Sequence, residues 1–175
     1  KKTVWTGCPC LKERPVTSKA SLYQKFNLDP TKKTVLVLGG SQGSQKINAV
    51  VFEMISLMKD VSTFQFIVMT GKKEFPDYLI KYKNVPIVVR VFDFINPIQE
   101  AYAISDLVIA RSGAATVSEL GHFALPSILI PYPLADAHQK YNAQVLFDLG
   151  LAQIIEQADL NSSLLQVNLE SMLSA

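Results

Sequence analysis

The sequence predicts an α/β fold, a Rossmann-like doubly wound parallel sheet of about six strands with helices on both faces. Three observations lead there. Short runs of consecutive apolar residues, as strands buried on both sides require, alternate with longer stretches whose apolar residues return at helical spacing. The first of these runs ends in a glycine-rich turn that passes straight into a helical pattern, as a βα unit demands. The 175 residues are 49% hydrophobic and 18% charged, which suits one compact core and excludes a disordered tail.

A mixed leader, residues 1–33, ends near Asp29-Pro30, and the domain is expected over 34–175. Strands are expected at Thr34–Leu38, Phe64–Thr70, Ile87–Phe92, Leu107–Ala110 and Ser127–Pro131, with a weaker one at Ala152–Ile155. Helical spacing covers Ile47–Met58, Pro97–Ser105, Ala115–Phe123, Gln139–Leu149 and Leu160–Leu173. Lys73–Lys83 is a shorter helical stretch whose start is limited by Pro76. With right-handed crossovers this order places every loop that follows a strand on one sheet edge, where such sheets bind ligands.

Charge narrows the function classes. The leader carries eight basic and two acidic side chains, a balance of +6, while 34–175 carries nine and thirteen, a balance of −4. A body of that sign is not held on nucleic acid by phosphate charge, so any anion it binds must be held by local geometry. The longest stretch free of charged residues, Leu120–Ala135, is too short for a membrane span and holds three prolines. Cys8 and Cys10 have no second cysteine pair and read as ordinary thiols. The opening at Lys1 without a signal core, and the low cysteine content, lead to the expectation of a cytosolic protein cut from a longer one.

Three loops carry chemistry. Gly39-Gly40-Ser41-Gln42-Gly43-Ser44 allows a close backbone approach to an anion at a helix start, although a plain tight turn reads equally well. The dinucleotide fingerprint fails, because Leu38 stands at its first glycine and no acid follows Met69-Thr70-Gly71. The phosphate-loop pattern is absent as well. Arg111-Ser112-Gly113-Ala114-Ala115-Thr116-Val117-Ser118-Glu119 turns from strand to helix through small residues that leave the helix N-terminus open to a phosphate. Thr116 and Glu119 also match a capping box, and both readings stand at this point. Asp136 to Gln139 sets a carboxylate, an imidazole and a carboxamide at another helix start, a group able to bond hydroxyls.

Taken together, Val35-Leu-Val-Leu-Gly-Gly-Ser-Gln-Gly43, the stretch Asp106–Glu119, Leu125-Pro126, and Asp136-Ala-His-Gln139 followed by Asn142-Ala143 resemble the MurG family of bacterial glycosyltransferases. That family moves N-acetylglucosamine from UDP-N-acetylglucosamine to a lipid-linked muramyl-pentapeptide. The resemblance implies a GT-B architecture of which this chain is the C-terminal, donor-binding domain. The N-terminal domain that meets the lipid acceptor and the inner face of the membrane would be missing, and the catalytic base with it. The resemblance implies that Ser41, with the amides of Gln42 and Gly43, meets the diphosphate. The Arg111-Ser112-Gly113 turn and the Ala114, Ala115 and Thr116 backbone would add donors there, and Glu119 would take the ribose hydroxyls. Ile95 would pair its backbone with the uracil edge, with Phe94 and Ile98 close to the ring, while His138 and Gln139 would bond the sugar. Leu11 stands where the family's Thr-Gly-Asn-Pro-x-Arg strip has its arginine. No D-x-D motif occurs, so neither a metal nor a cofactor is expected. The rival readings are a nucleotide-sugar epimerase and a non-catalytic UDP-sugar-binding module.

Overall fold

The computed structural model describes residues 15–39, 44–59, 62–133 and 138–174. Six strands form one sheet: β1 (Lys33–Leu38), β2 (Phe64–Met69), β3 (Val88–Phe92), β4 (Leu107–Ala110), β5 (Ser127–Leu129) and β6 (Ala152–Ile154). Their spatial order is β3-β2-β1-β4-β5-β6, and every neighbouring pair is parallel. This is the Rossmann order, with the switch point between β1 and β4. Between the strands run α2 (Gln45–Leu57), α3 (Phe75–Lys81) with a short 3-10 turn behind it, α4 (Ile98–Ala103), α5 (Ala114–Phe123) and α6 (His138–Asp148). The chain continues from β6 into α7 (Ser162–Ser174).

The apolar runs behave as strands buried on both faces must. In β1, Val35 and Val37 enter one core with Ile47, Met54, Leu165 and Leu169, so α2 and α7 cover that face. Leu36 and Leu38 enter a second core with Tyr102, Leu120 and Leu146, so α4, α5 and α6 cover the other. Each strand therefore has two apolar sides, which is why its sequence shows a continuous run and no alternation. β5 ends at Leu129, before Pro131, which has no N–H to give to the ladder. Pro76 sits in the first turn of α3, where its missing donor does no harm.

One helix lies in what the sequence reads as leader. α1 (Lys19–Phe26) starts at Ser18, whose hydroxyl accepts from the Ser21 N–H, and stops at Asn27 in the left-handed conformation. Its buried Leu22 and Phe26 join Leu36 and Leu38 in the second core. The helix is otherwise polar, which explains why periodicity does not reveal it.

Gln65 ties the α1–β1 connection to the sheet. Fully buried in β2, it donates Nε2 to the Asp29 carbonyl at 2.6 Å and to Thr34 Oγ1 at 2.9 Å, and its Oε1 accepts from the Asp29 N–H at 2.9 Å. Gln65→Leu would remove all three bonds, while the Asp29 carbonyl keeps the Lys32 N–H at 3.2 Å. The expected result is a stability loss of about 2 kcal/mol, read as a lower urea midpoint at unchanged slope.

Candidate functional site

The loops after β3 and β4 meet across a cleft of about 260 Å³ at the carboxyl edge of the sheet. It is lined by Leu38 and Met69 at the ends of β1 and β2, by Phe94, Ile95, Ile98, Gln99 and Tyr102 around α4, and by Thr116 and Glu119 on α5. Of the residues expected from the sequence, the structure thus brings Phe94, Ile95, Ile98, Thr116 and Glu119 into one chamber. Phe94 is 52% exposed, an aromatic ring at the mouth, while Ile95 is buried in the wall.

The geometry of α5 decides between the two readings of Glu119. Gly113 is the N-cap and no side chain caps the helix, so Thr116 lies inside the first turn and Glu119 one turn further on. A capping box needs its Thr at the N-cap position, which Thr116 does not occupy. Glu119 instead accepts a 2.9 Å hydrogen bond at Oε2 from the Tyr102 hydroxyl. Tyr102 is 2% exposed, and burial, with the Glu119 carboxylate beside it, pushes its phenol well above the usual range. The carboxylate is therefore held from one side by a buried donor while lining the cleft with the other. Ala114 and Ala115 are exposed, so the first N–H groups of α5 face outward without a cap. An added Cβ at Gly113 would meet nothing nearer than Thr116 Oγ1 at 3.9 Å. The small residue leaves that helix end open, and packing does not demand it.

Arg111, expected from the sequence to face the ligand, commits its guanidinium to protein acceptors. Nη1 donates to the carbonyls of Ile130 at 3.0 Å and Pro131 at 3.2 Å. Nη2 donates to Ser44 Oγ at 2.9 Å and to Gln157 Oε1, and the group lies 5.1 Å from the Tyr132 ring centre. Desolvation of this half-buried cation pulls its pKa down, and Tyr132 opposes the shift. Ser112 is buried, donates to the Gln139 carbonyl at 2.7 Å and accepts from Asn142 Nδ2 at 3.1 Å. It thus fastens the start of α6 to the start of α5. Gln139 Oε1 accepts from the Tyr132 N–H at 3.0 Å, which orients the carboxamide and leaves its NH₂ as the donating end. His138 is exposed as the first residue of α6. Ser41, Gln42, Gly43 and Asp136 lie outside the described residues, as does the Thr6–Leu11 strip.

Sequence reasoning missed Tyr102, Gln99 and the buckle role of Asn142. Tyr102 falls on the apolar face of a helix and reads as core, and nothing local announces a carboxylate seventeen residues later as its acceptor. Among the described residues, no group of three or more His, Cys, Asp or Glu is placed to hold a metal ion, and no helix is long and apolar enough to cross a membrane.

Residues 34–175 match the family model described as glycosyltransferase family 28 C-terminal domain. The chain is 35% identical over 175 residues to UDP-N-acetylglucosamine--N-acetylmuramyl-(pentapeptide) pyrophosphoryl-undecaprenol N-acetylglucosamine transferase of Thermodesulfovibrio yellowstonii, covering 99% of this chain and 48% of the relative. The transferase of the same name from Hydrogenovibrio crunogenus is 42% identical over 137 residues, covering 78% of this chain and 39% of the relative. The chain therefore spans about half the length of the first of these relatives, and less of the second. Among solved structures, Acinetobacter baumannii MurG superposes with a TM-score of 0.75 at 24% identity, over 87% of this chain and 44% of that one. WaaG, a glycosyltransferase involved in lipopolysaccharide biosynthesis, gives 0.65 at 16% identity, over 93% and 43%. At these identities the structural likeness speaks for the fold.

The Tyr102–Glu119 bond has a consequence in alkali. The unfolded chain releases a phenolic proton near the ordinary value of 10.0, whereas the folded chain holds this one to higher pH. Above pH 10.0 the folded state then binds more protons, so the stability from this group is fully present below that unfolded-chain value and is lost as pH rises beyond it toward the folded chain's titration. Tyr102→Phe is expected to flatten the fall of the urea midpoint between about pH 10 and 11.5; an unchanged slope would contradict the burial of this phenol.

Proposed function

The chain belongs to the family of glycosyltransferase family 28 C-terminal domains, and on that premise we propose that it is the donor-binding half of an inverting transferase. The enzyme would move N-acetylglucosamine from UDP-N-acetylglucosamine to a lipid-linked muramyl-pentapeptide. The observation that carries this reading is the Glu119 carboxylate, fixed by Tyr102 at the side of a largely apolar cleft that reaches Thr116 in the first, uncapped turn of α5. A nucleoside diphosphate matches that order of groups: a flat ring for the apolar walls, hydroxyls for the carboxylate and an anion for the helix start.

In this reading residues 34–175 are the sugar-nucleotide unit, to which the leader contributes α1. The uracil enters between Ile95 and Ile98 with Phe94 at the mouth, and the Ile95 backbone meets its edge. Glu119 accepts from the ribose hydroxyls. The N–H groups of Ala114, Ala115 and Thr116, with the Ser41-Gln42-Gly43 loop, receive the diphosphate. Arg111, Ser112 and Gly113 act by holding this edge in shape and by adding positive charge behind it. Gln139 and His138 bond the N-acetylglucosamine.

The reaction is a displacement at the anomeric carbon. A hydroxyl of the acceptor attacks, the bond to the diphosphate oxygen breaks, and UDP leaves with the bonding electrons. Negative charge grows on the leaving phosphate, and fixed backbone dipoles at the start of α5 stabilise it without having to reorganise. The acceptor, the base that takes its proton and the peripheral contact with the cytoplasmic membrane face are assigned to the part of the relatives that this chain does not span.

Calorimetric titration tests the proposal. UDP and UDP-N-acetylglucosamine should both bind the chain, and 2′-deoxy-UDP should bind more weakly than UDP. Glu119→Gln should weaken UDP about tenfold with little change in melting temperature, because a charged acceptor of hydroxyl bonds becomes a neutral one. Equal binding of UDP and 2′-deoxy-UDP by the unaltered chain would defeat the ribose role.

The loop before α6 gives a separate test. Gln139→Ala should weaken UDP-N-acetylglucosamine by about fivefold, the loss of one neutral hydrogen bond, while UDP binding stays near its original strength. Equal losses for both ligands would remove Gln139 from the sugar site.

A further inference from the structure

We propose that the outer edge of β3 takes up an extended acidic segment of a partner protein as an added strand, away from the nucleotide cleft and independent of it. Among the described residues β3 is an end strand of the sheet and pairs with β2 alone. The Phe92 carbonyl accepts from the Thr70 N–H at 3.0 Å, so Phe92 serves the β2 side of its strand. Successive strand residues turn their backbone groups to opposite edges. Val88 and Arg90 therefore serve β2 as well, whereas Val89 and Val91 carry N–H and C=O groups to the outer edge. A groove of about 500 Å³ lies there, lined by every residue of β3 and by Leu79, Tyr82, Lys83 and Val85 on α3 and the turn behind it.

The edge is held ready for a strand. Val89 and Val91 pack against the first core, and Val88 and Phe92 against the second, so both faces of β3 are fixed while its edge stays open. A charged side chain commonly guards such an edge. Here the charge, Arg90, is turned to α1, where Nε donates to the Asn27 carbonyl at 2.9 Å. Charge selects the occupant. Lys83 and Arg90 line the groove and no carboxylate does, so acidic side chains on an incoming strand meet cations. A second copy of the chain would set two Arg90 and two Lys83 along one seam, and like charges across paired strands are unfavourable. The leader, with its balance of +6, is mismatched in the same way. Main-chain bonds from Val89 and Val91 supply affinity, and the two cations choose the partner.

The probe is a short labelled peptide that alternates valine and glutamate, read by fluorescence anisotropy beside a counterpart with lysine for glutamate. The glutamate peptide should bind, the lysine peptide should bind at least about tenfold more weakly, and added salt should narrow the gap. Val89→Pro removes one outward N–H and leaves the β2 ladder whole, since an edge strand accepts proline where its N–H faces solvent. It should weaken the glutamate peptide about tenfold. Lys83→Glu, at an exposed position, should weaken it about fivefold and strengthen the lysine peptide. UDP binding should be unchanged in both variants, because neither residue lines the nucleotide cleft. No binding of the glutamate peptide, equal binding of the two peptides, or full affinity in a folded Val89→Pro or Lys83→Glu chain would overturn the assignment. Self-association of the unaltered chain in sedimentation, abolished by Val89→Pro, would give the edge to a second copy and overturn the acidic partner.

Discussion

Arg111 bridges the loops that follow β1, β5 and β6 from its own place at the end of β4, and the shape of the ligand-facing edge depends on that bridge. Its fork reaches Ser44 at the start of α2, the Ile130 and Pro131 carbonyls, and Gln157. A planar guanidinium with several fixed donors can hold loops at set angles, whereas an ammonium on a flexible stem would not. The acceptors are neutral, so the positive charge is not cancelled by a carboxylate. The group therefore holds the loops and leaves a favourable field for an anion at the same edge.

That field matters because the body of the chain is net negative. Attraction at long range would not bring an anionic ligand to this surface, so the binding energy has to come from short-range geometry. In the proposed site that role falls to the first turn of α5, which has no side-chain cap and small residues at Gly113, Ala114 and Ala115. Ser112 and Asn142 lock α6 beside α5, which sets the distance between the two helix starts and hence between the groups each can offer.

The cleft combines apolar walls with the polar side chains of Asn96, Gln99, Thr116 and Glu119 and the Tyr102 hydroxyl. Glu119 is held by a hydrogen bond from the Tyr102 hydroxyl. That donor comes from α4, a short helix packed against the second core through Ala101 and Tyr102, while Glu119 itself lies on α5. Side chains held by the core cannot rotate to find water when the cleft is empty. The carboxylate is therefore oriented before any ligand arrives.

The doubly wound fold, its six strands and the order of helices were legible in the chain because burial on both faces imposes a pattern that each segment carries by itself: Val35 to Leu38 must all be apolar whatever their partners are. α1 was not legible, since a helix of eight residues whose buried side chains are Leu22 and Phe26 has too few apolar residues to show a period. The loops of the proposed site were legible as places where a strand turns into a helix through small residues, and the family resemblance attached roles to them. Only the tertiary structure showed that Thr116 is not the N-cap of α5, that Glu119 lines the cleft beside Gln99 and Tyr102, and that the Arg111 guanidinium joins the ends of several strands. Those assignments rest on hydrogen bonds between residues far apart along the chain, as between Arg111 and Ser44. Local spacing carries no information about such pairs, because the partner is chosen by how the sheet brings its strand ends together.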